Sequence, residues 1–462
     1  MNSNTLWSLR LGFSNKQSKA IEALGITEFL KRSFASTVDT TLPVCLDDSP
    51  KTLAELKNMR QEIKQATTEQ QKKLIKKQVK DANELRKWWL EKMQNEEFPL
   101  REKMTCFWHN HFVATIQKVK VNYWVYQHNM ILRENAFGNF REITKKIIQS
   151  NAMVRYLDNV DNKKGKLNEN LSRELVELFT LGIGHYTEED VKNGAKALAG
   201  LNLGNEKAVY RKALEDNDTI TYLGKTGQFK VEDIIDIIFE QKNTSYFLTE
   251  KLLKWFIYDA PPKELITYYG DYFKAVDYEI QPLLTKIFTE EFDKNTTGSK
   301  IKDPLLYALQ IMDELHVEQT NPMIVIHFLK QQGMELFNQP NVKGWQGGTN
   351  WMTSQIYLQR NNASDYLVNG QNIIARRMEK MEDNERMQRK VQSVTIDFDS
   401  NGTNKTIIKE LTDRLLFSVD ATTQKDMETI LKYDFNPKSE SANAAVLRLF
   451  NYITKLPEFQ LI

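Results

Sequence analysis

Apolar residues along most of the chain recur at three- and four-residue intervals, the spacing of one buried helix face. From Ser49 to Gln94, Leu53, Leu56, Ile63, Leu74, Leu85, Trp89 and Met93 keep this phase through polar sequence, which predicts one long helix or two in series. Pro99 suits a helix start. After it Leu100, Met104, Phe107, Trp108, His111 and Phe112 fall at i, i+4, i+7, i+8, i+11 and i+12 as one buried stripe. Beyond Gly138 the helices are shorter and punctuated by Gly, Asn and Pro. Helical phasing lapses from Leu201 to Thr226, where a small strand pair fits. It resumes at Val231, runs to the Pro261-Pro262 stop and continues from 263 to 334. The segment Gln339 to Trp351, with Pro340, Gly344, Gly347 and Gly348, breaks the pattern. Residues 370–392 read as a charged helix and 394–399, VTIDFD, as one strand.

The fold expected is mainly α, a multi-helical globular array with a long helix in its N-terminal half and at most a small β element. Its parts are a helical 1–200, an irregular connection or small β element at 201–226, a helical 227–392 carrying the Gly/Trp loop, and a helical 393–462. All four can also form one composite domain, and no repeat of fixed period is present.

Composition adds few constraints. The 462 residues include 63 Lys and Arg against 61 Asp and Glu, a net charge of +2, so nothing calls for nucleic acid. The basic run KKLIKKQVK at 72–80 would suit an anionic partner, but Leu74, Ile75 and Val79 place core-facing positions in the same stretch, and a solvated helix face is the favoured reading. Cys45 and Cys106 are too few for a disulfide framework and read as reduced or buried thiols. The first twenty residues lack the apolar core of a signal peptide, and no window reaches the roughly 18 apolar residues of a membrane span, so a cytoplasmic location is the expectation.

Candidate chemistry gathers between Arg101 and Gly200. His109 and His111 would share one side of a strand and could hold an ion there. On a helix, residues two apart differ by about 200°. The helical stripe therefore favours hydrogen-bonded structural imidazoles, unless a helix end falls between the two. Further on, Asn168 can cap a helix running through Phe179 that Gly182 ends in the left-handed conformation. Leu171, Leu175 and Leu178 would be its buried stripe, with Glu169, Arg173 and Glu177 at i, i+4 and i+8 on the far side and Asn170 and Glu174 beside them. Three carboxylates around one guanidinium can hold a cation or supply a general acid and base. They can equally be a surface ion-pair ladder. His185, in the following loop, is within reach of a site beside Glu177. Trp345 and Gly347 suit either a stacking platform or a packed turn. Asp158 to Glu169 fails as a calcium loop because Val160 and Lys163 stand where an oxygen ligand and a glycine are needed. Gly224, Lys225 and Thr226 lack the preceding glycine of a phosphate loop.

The blocks REKMTCFWHNHF, LRENAFGNFREI, NAMVRYLDN, NENLSRELVELFTLGIGHYTEEDV and VKGWQGGTNWMTS resemble the bacterial domain-of-unknown-function family 1800. Similarity runs in order from LRLGFS through LGKTGQF and KLLKWFIYDAPP to LPEFQLI, nearly the whole chain. The resemblance implies a mainly helical fold but no settled activity. It implies hallmark positions at His109, His111, Asn168, Glu169, Asn170, Arg173, Glu174 and Glu177, joined by Trp345 and Gly347. Where relatives often carry a His-Asp pair before the LGKTG-like block, this chain has Glu215 and Asp216. The resemblance also implies a sulfatase-like companion protein, and with it export as a complex.

Two functions are therefore expected. In the first the chain is a metal-assisted hydrolase: Glu174, Glu177, Arg173 and His185 are catalytic, Asn168, Asn170, Trp345 and Gly347 bind substrate, and His109, His111 and Glu169 hold a divalent metal. In the second it is a non-catalytic interaction or assembly protein, and the same residues fix helix packing. Convergence of these side chains on one cleft separates the two.

Overall fold

The computed structural model describes residues 1–317, 321–371 and 394–462. From 372 onward the charged stretch expected to be helical lies outside these residues.

The polar, leucine-phased early segment forms two helices in series, Leu53–Gln65 and Thr68–Asn95. Each opens on a threonine capping box, Thr52 with Glu55 and Thr67 with Gln70, and the second cap is what breaks the series at Ala66. Gln71 donates to Ile63 O and Ala66 O, and Gln78 reaches the Met59 sulfur, so the two helices lie side by side. The face carrying Gln71, Leu74 and Gln78 is thereby turned toward the first helix. Ile75 and Val79 sit off that face and are 58% and 56% exposed, which corrects the expectation that they face a core.

Two apolar cores organise the rest. One joins Trp7, Phe29, Phe140, Val176, Ile234 and Phe288; the other joins Leu85, Trp89, Tyr307, Phe337, Ile407 and Phe450. The helix Leu100–His111 feeds both, giving Met104, Phe107 and Trp108 to the first and Cys106 to the second. Each such apolar side chain, fully buried, contributes roughly 1.5–3 kcal/mol. This helix is enclosed on every side, so Glu102, Lys103, Thr105 and His109 are buried with the expected stripe.

Short helices follow to the C-terminus, among them Glu188–Leu198, Val231–Glu240, Asn243–Phe256 and Ala442–Thr454. Two antiparallel strand pairs, Leu201–Asn202 with Val209–Tyr210 and Ile220–Tyr222 with Lys225–Gly227, are the β content of the described residues. The segment 394–399 alternates in burial as a strand would, yet pairs with none. Asn443 takes the partner's place, accepting from Ile396 N at 3.2 Å and donating to Val394 O at 2.9 Å. Among the described residues no helix is long and apolar enough to cross a membrane.

Candidate functional site

The C-terminal end of the Leu100–His111 helix is where the segments carrying the candidate residues meet. The chain leaves the helix at Phe112 (φ −104°, ψ 73°), so a helix end does fall beside the two histidines. Their rings nevertheless diverge. His109 Nε2 lies 3.2 Å from Ala114 O and Nδ1 3.4 Å from the Asn129 amide, with the ring edge-on to His128. His111 Nε2 lies 2.9 Å from Phe179 O and Nδ1 3.3 Å from Lys251 Nζ. Burial holds both well below the ordinary histidine range, helped by His128 for His109 and by Lys251 for His111. Each is a neutral ring tied to a backbone carbonyl. Glu169 lies on the surface with Arg173, so the three residues expected to share a divalent metal are not brought together. Among the described residues, no three His, Cys, Asp or Glu side chains are grouped as a metal would need.

Asn168 stands one residue before the helix cap, Glu169, and turns the chain into the helix by accepting from Asn170 N at 3.0 Å, while Gly182 ends the segment at φ +83°. The helix between is not uniform. It is α over Asn170–Glu174 and widens into a π-turn over Leu175–Thr180. Its last carbonyls turn to side chains: Leu178 O accepts from Lys251 at 2.7 Å, Phe179 O from His111, and Leu181 O from Asn243 at 2.5 Å. Leu181 N and Gly182 N both return to Val176 O. A π insertion of this kind rotates everything beyond it relative to a regular helix. The three carboxylates therefore do not surround Arg173. Arg173 binds Glu169 at 3.0 Å and Glu188 at 2.8–2.9 Å, a ladder on the surface. Glu177 accepts instead from Tyr186 Oη at 2.7 Å, and burial with that contact pushes Tyr186 up to about 12.

Glu174 stands apart. Half-buried, it is raised above the usual carboxylate range first by desolvation and then by Glu177, against the pull of Lys343 and Arg173. Asn170 and His185 are exposed. Lys251, clasped by His111, Leu178 O and the Phe247 ring, is lowered by burial to about 7.

The loop 339–351 closes over the same helix end. Gln339 donates to His109 O, and Asn110 both accepts from Trp345 N at 2.6 Å and donates to Trp345 O at 3.3 Å. Gly344 (φ +74°) is required, because a Cβ there would stand 2.3 Å from the Asn110 side-chain oxygen. Trp345 is 5% exposed: of the two arrangements its sequence suits, the indole takes that of a packed turn and lies in the second core. Gly347 turns the loop at φ +69°.

A family model for proteins of unknown function, DUF1800, matches residues 5–461. The chain belongs to the DUF1800 family. No curated protein and no solved structure matches it. In this DUF1800 chain Glu215 accepts from Lys230 Nζ at 3.0 Å, while Asp216 is buried and caps the local turn by accepting from Asp218 N.

Sequence reasoning missed the buried polar chain behind the site. Arg133 binds Glu102 through two hydrogen bonds of 2.7 and 2.8 Å, Trp89 Nε1 donates to Glu102 at 3.0 Å, and Arg133 donates to Asn129 at 2.6 Å. Asn129 leads on to His109, whose neighbour His128 lies 2.7 Å from Phe112 O and 3.5 Å from Ser150 Oγ. The signal available was Glu102 on an apolar-phased helix together with Arg133 in the LRENAFGNF block. A cleft of about 540 Å³ borders this network at Trp124, Met130, Lys145, Ser150 and Asn151; Glu174 and Glu177 do not line it.

Proposed function

We propose that this protein is a non-catalytic interaction or assembly protein, in which the hallmark residues fix the junction of three segments at the end of the central helix. One observation carries this reading: apart from Glu174 and the exposed Asn170, these polar groups are bonded within the chain. His111 binds Phe179 O, Arg173 binds Glu169 and Glu188, Glu177 binds Tyr186, and Asn110 binds Trp345. Groups committed in this way hold a surface in shape rather than await a substrate. A sulfatase-like companion is the partner the family resemblance puts first, with export as a complex.

A second reading rests on Glu174 alone. A half-buried carboxyl raised above its ordinary range, one turn from a second carboxylate, is the arrangement a hydrolase uses to separate acid from base.

The test pairs two measurements on purified protein. Turnover is screened on ester, phosphate, sulfate and glycoside substrates, with and without divalent metals, beside Glu174→Gln; binding to the sulfatase-like companion is measured by titration. Complex formation unaffected by Glu174→Gln, with no Glu174-dependent turnover, is the expected result. Turnover abolished by Glu174→Gln would overturn the assembly reading in favour of the hydrolase.

A further inference from the structure

The helix pair Leu53–Gln65 and Thr68–Asn95 concentrates the chain's positive charge. Between Lys51 and Lys80 there are nine basic and three acidic residues, a net of +6 on a chain whose total is +2. The remainder is thus net negative. Two of the cations are paired on the surface, Lys73 with Glu69 and Lys77 with Asp48. Lys57, Arg60, Lys64, Lys72, Lys76 and Lys80 are exposed.

On the second helix Lys72, Ile75, Lys76, Val79 and Lys80 follow at i, i+3, i+4, i+7 and i+8, one solvent-facing stripe. Ile75 and Val79 are among the most exposed large apolar residues of the protein. No element among the described residues covers them, because the face with Gln71 and Gln78 is the one turned to the neighbouring helix. Eight of the nine cations are lysine, hydrated point charges suited to a diffuse anionic surface rather than to bidentate recognition of single carboxylates. The segment 51–80 has no aromatic residue on which a base could stack, which disfavours single-stranded nucleic acid.

We propose that this helix pair docks on an anionic lipid bilayer, its lysines over the phosphate headgroups and Ile75 and Val79 pressed into the interface. The proposal stands apart from the assembly reading, since no hallmark residue takes part. The described helices lie on such a membrane without crossing it.

The test is co-sedimentation of the whole protein with vesicles of phosphatidylcholine alone and of phosphatidylcholine with one third phosphatidylglycerol. The parent is expected to pellet only with the anionic vesicles and to be released by high salt. A Lys72→Glu/Lys76→Glu/Lys80→Glu variant is expected to stay in the supernatant with an unchanged melting curve. Ile75→Ser/Val79→Ser, at constant charge, should bind severalfold more weakly. A parent that ignores anionic vesicles, a charge-reversed variant that still pellets, or retention by duplex DNA in place of vesicles would each overturn the proposal.

Discussion

The side-chain amide of Asn110 meets the backbone of Trp345 as a neighbouring strand would, accepting from its N–H at 2.6 Å and donating to its carbonyl at 3.3 Å. Asn151 does the same to Gly204, and Asn443 to Val394 and Ile396. In a nearly sheetless protein these amides give irregular segments the pairing their backbone needs. Gly344→Ala would force a Cβ against Asn110 at a left-handed φ and should cost about 2–3 kcal/mol. Asn110→Ala should cost about 1–3 kcal/mol by leaving Trp345 N–H and C=O unpaired. Urea unfolding measures both, and a Gly344→Ala variant as stable as the parent would refute the close approach.

Arg133 and Glu102 form a bidentate pair in which both side chains are almost wholly enclosed. Removing one partner strands the other charge, so Arg133→Met should cost about 3–5 kcal/mol. The double variant Glu102→Leu/Arg133→Met should recover most of that loss. A double variant no better than the single one would show that the surrounding chain through Asn129 and His109 depends on the pair itself.

Acid should unfold the protein through its buried histidines. Burial holds His128 down to about 4 and His109 and His111 well below 6.5. Their folded values lie under their unfolded ones, so on acidification the unfolded chain takes up protons the folded chain refuses. Stability is then complete above the ordinary histidine range and falls as pH drops from about 6.5 toward 4, by about 1.4 kcal/mol per pH unit for each such ring. Lys251, lowered from 10.5 to about 7, acts with the same sign in a higher window, adding stability as pH rises between those values. Unfolding midpoints that stay flat from pH 7 to 5 would contradict the enclosed, neutral rings.

Arg173 is expected to matter little to stability despite its two partners. The ladder with Glu169 and Glu188 is solvent-facing, and Arg173→Ala should cost less than about 1 kcal/mol, with the difference vanishing at high salt. A larger loss would mean that the guanidinium anchors the start of the π-turn.

Local signals were legible in the sequence where neighbours within a few residues decide the outcome. The apolar phase from Leu53 to Met93 gives the two early helices in series, Asn168 and Gly182 bracket the segment between them, and the helical angle between His109 and His111 already separates their rings. The π-turn was not legible, because His111 and Lys251, distant in sequence, are what engage its carbonyls. The same holds for 394–399, whose alternating pattern is strand-like but whose partner is one side chain, Asn443. Nor was the pairing of Glu102 with Arg133 legible, because it depends on a helix enclosed on every side that takes both charges out of water.

The second core is assembled mainly from residues between 46 and 152 and from others beyond 305. During synthesis Trp89 and Leu85 therefore precede Tyr307, the first of their late core partners, by more than two hundred residues. At about 5–20 residues per second this interval lasts roughly ten to forty seconds. Over that time the Trp89 helix rests on the helices Leu100–His111 and Asn122–Glu134 with one side of its core still open, and Tyr307, Phe337 and Phe450 close that side afterwards.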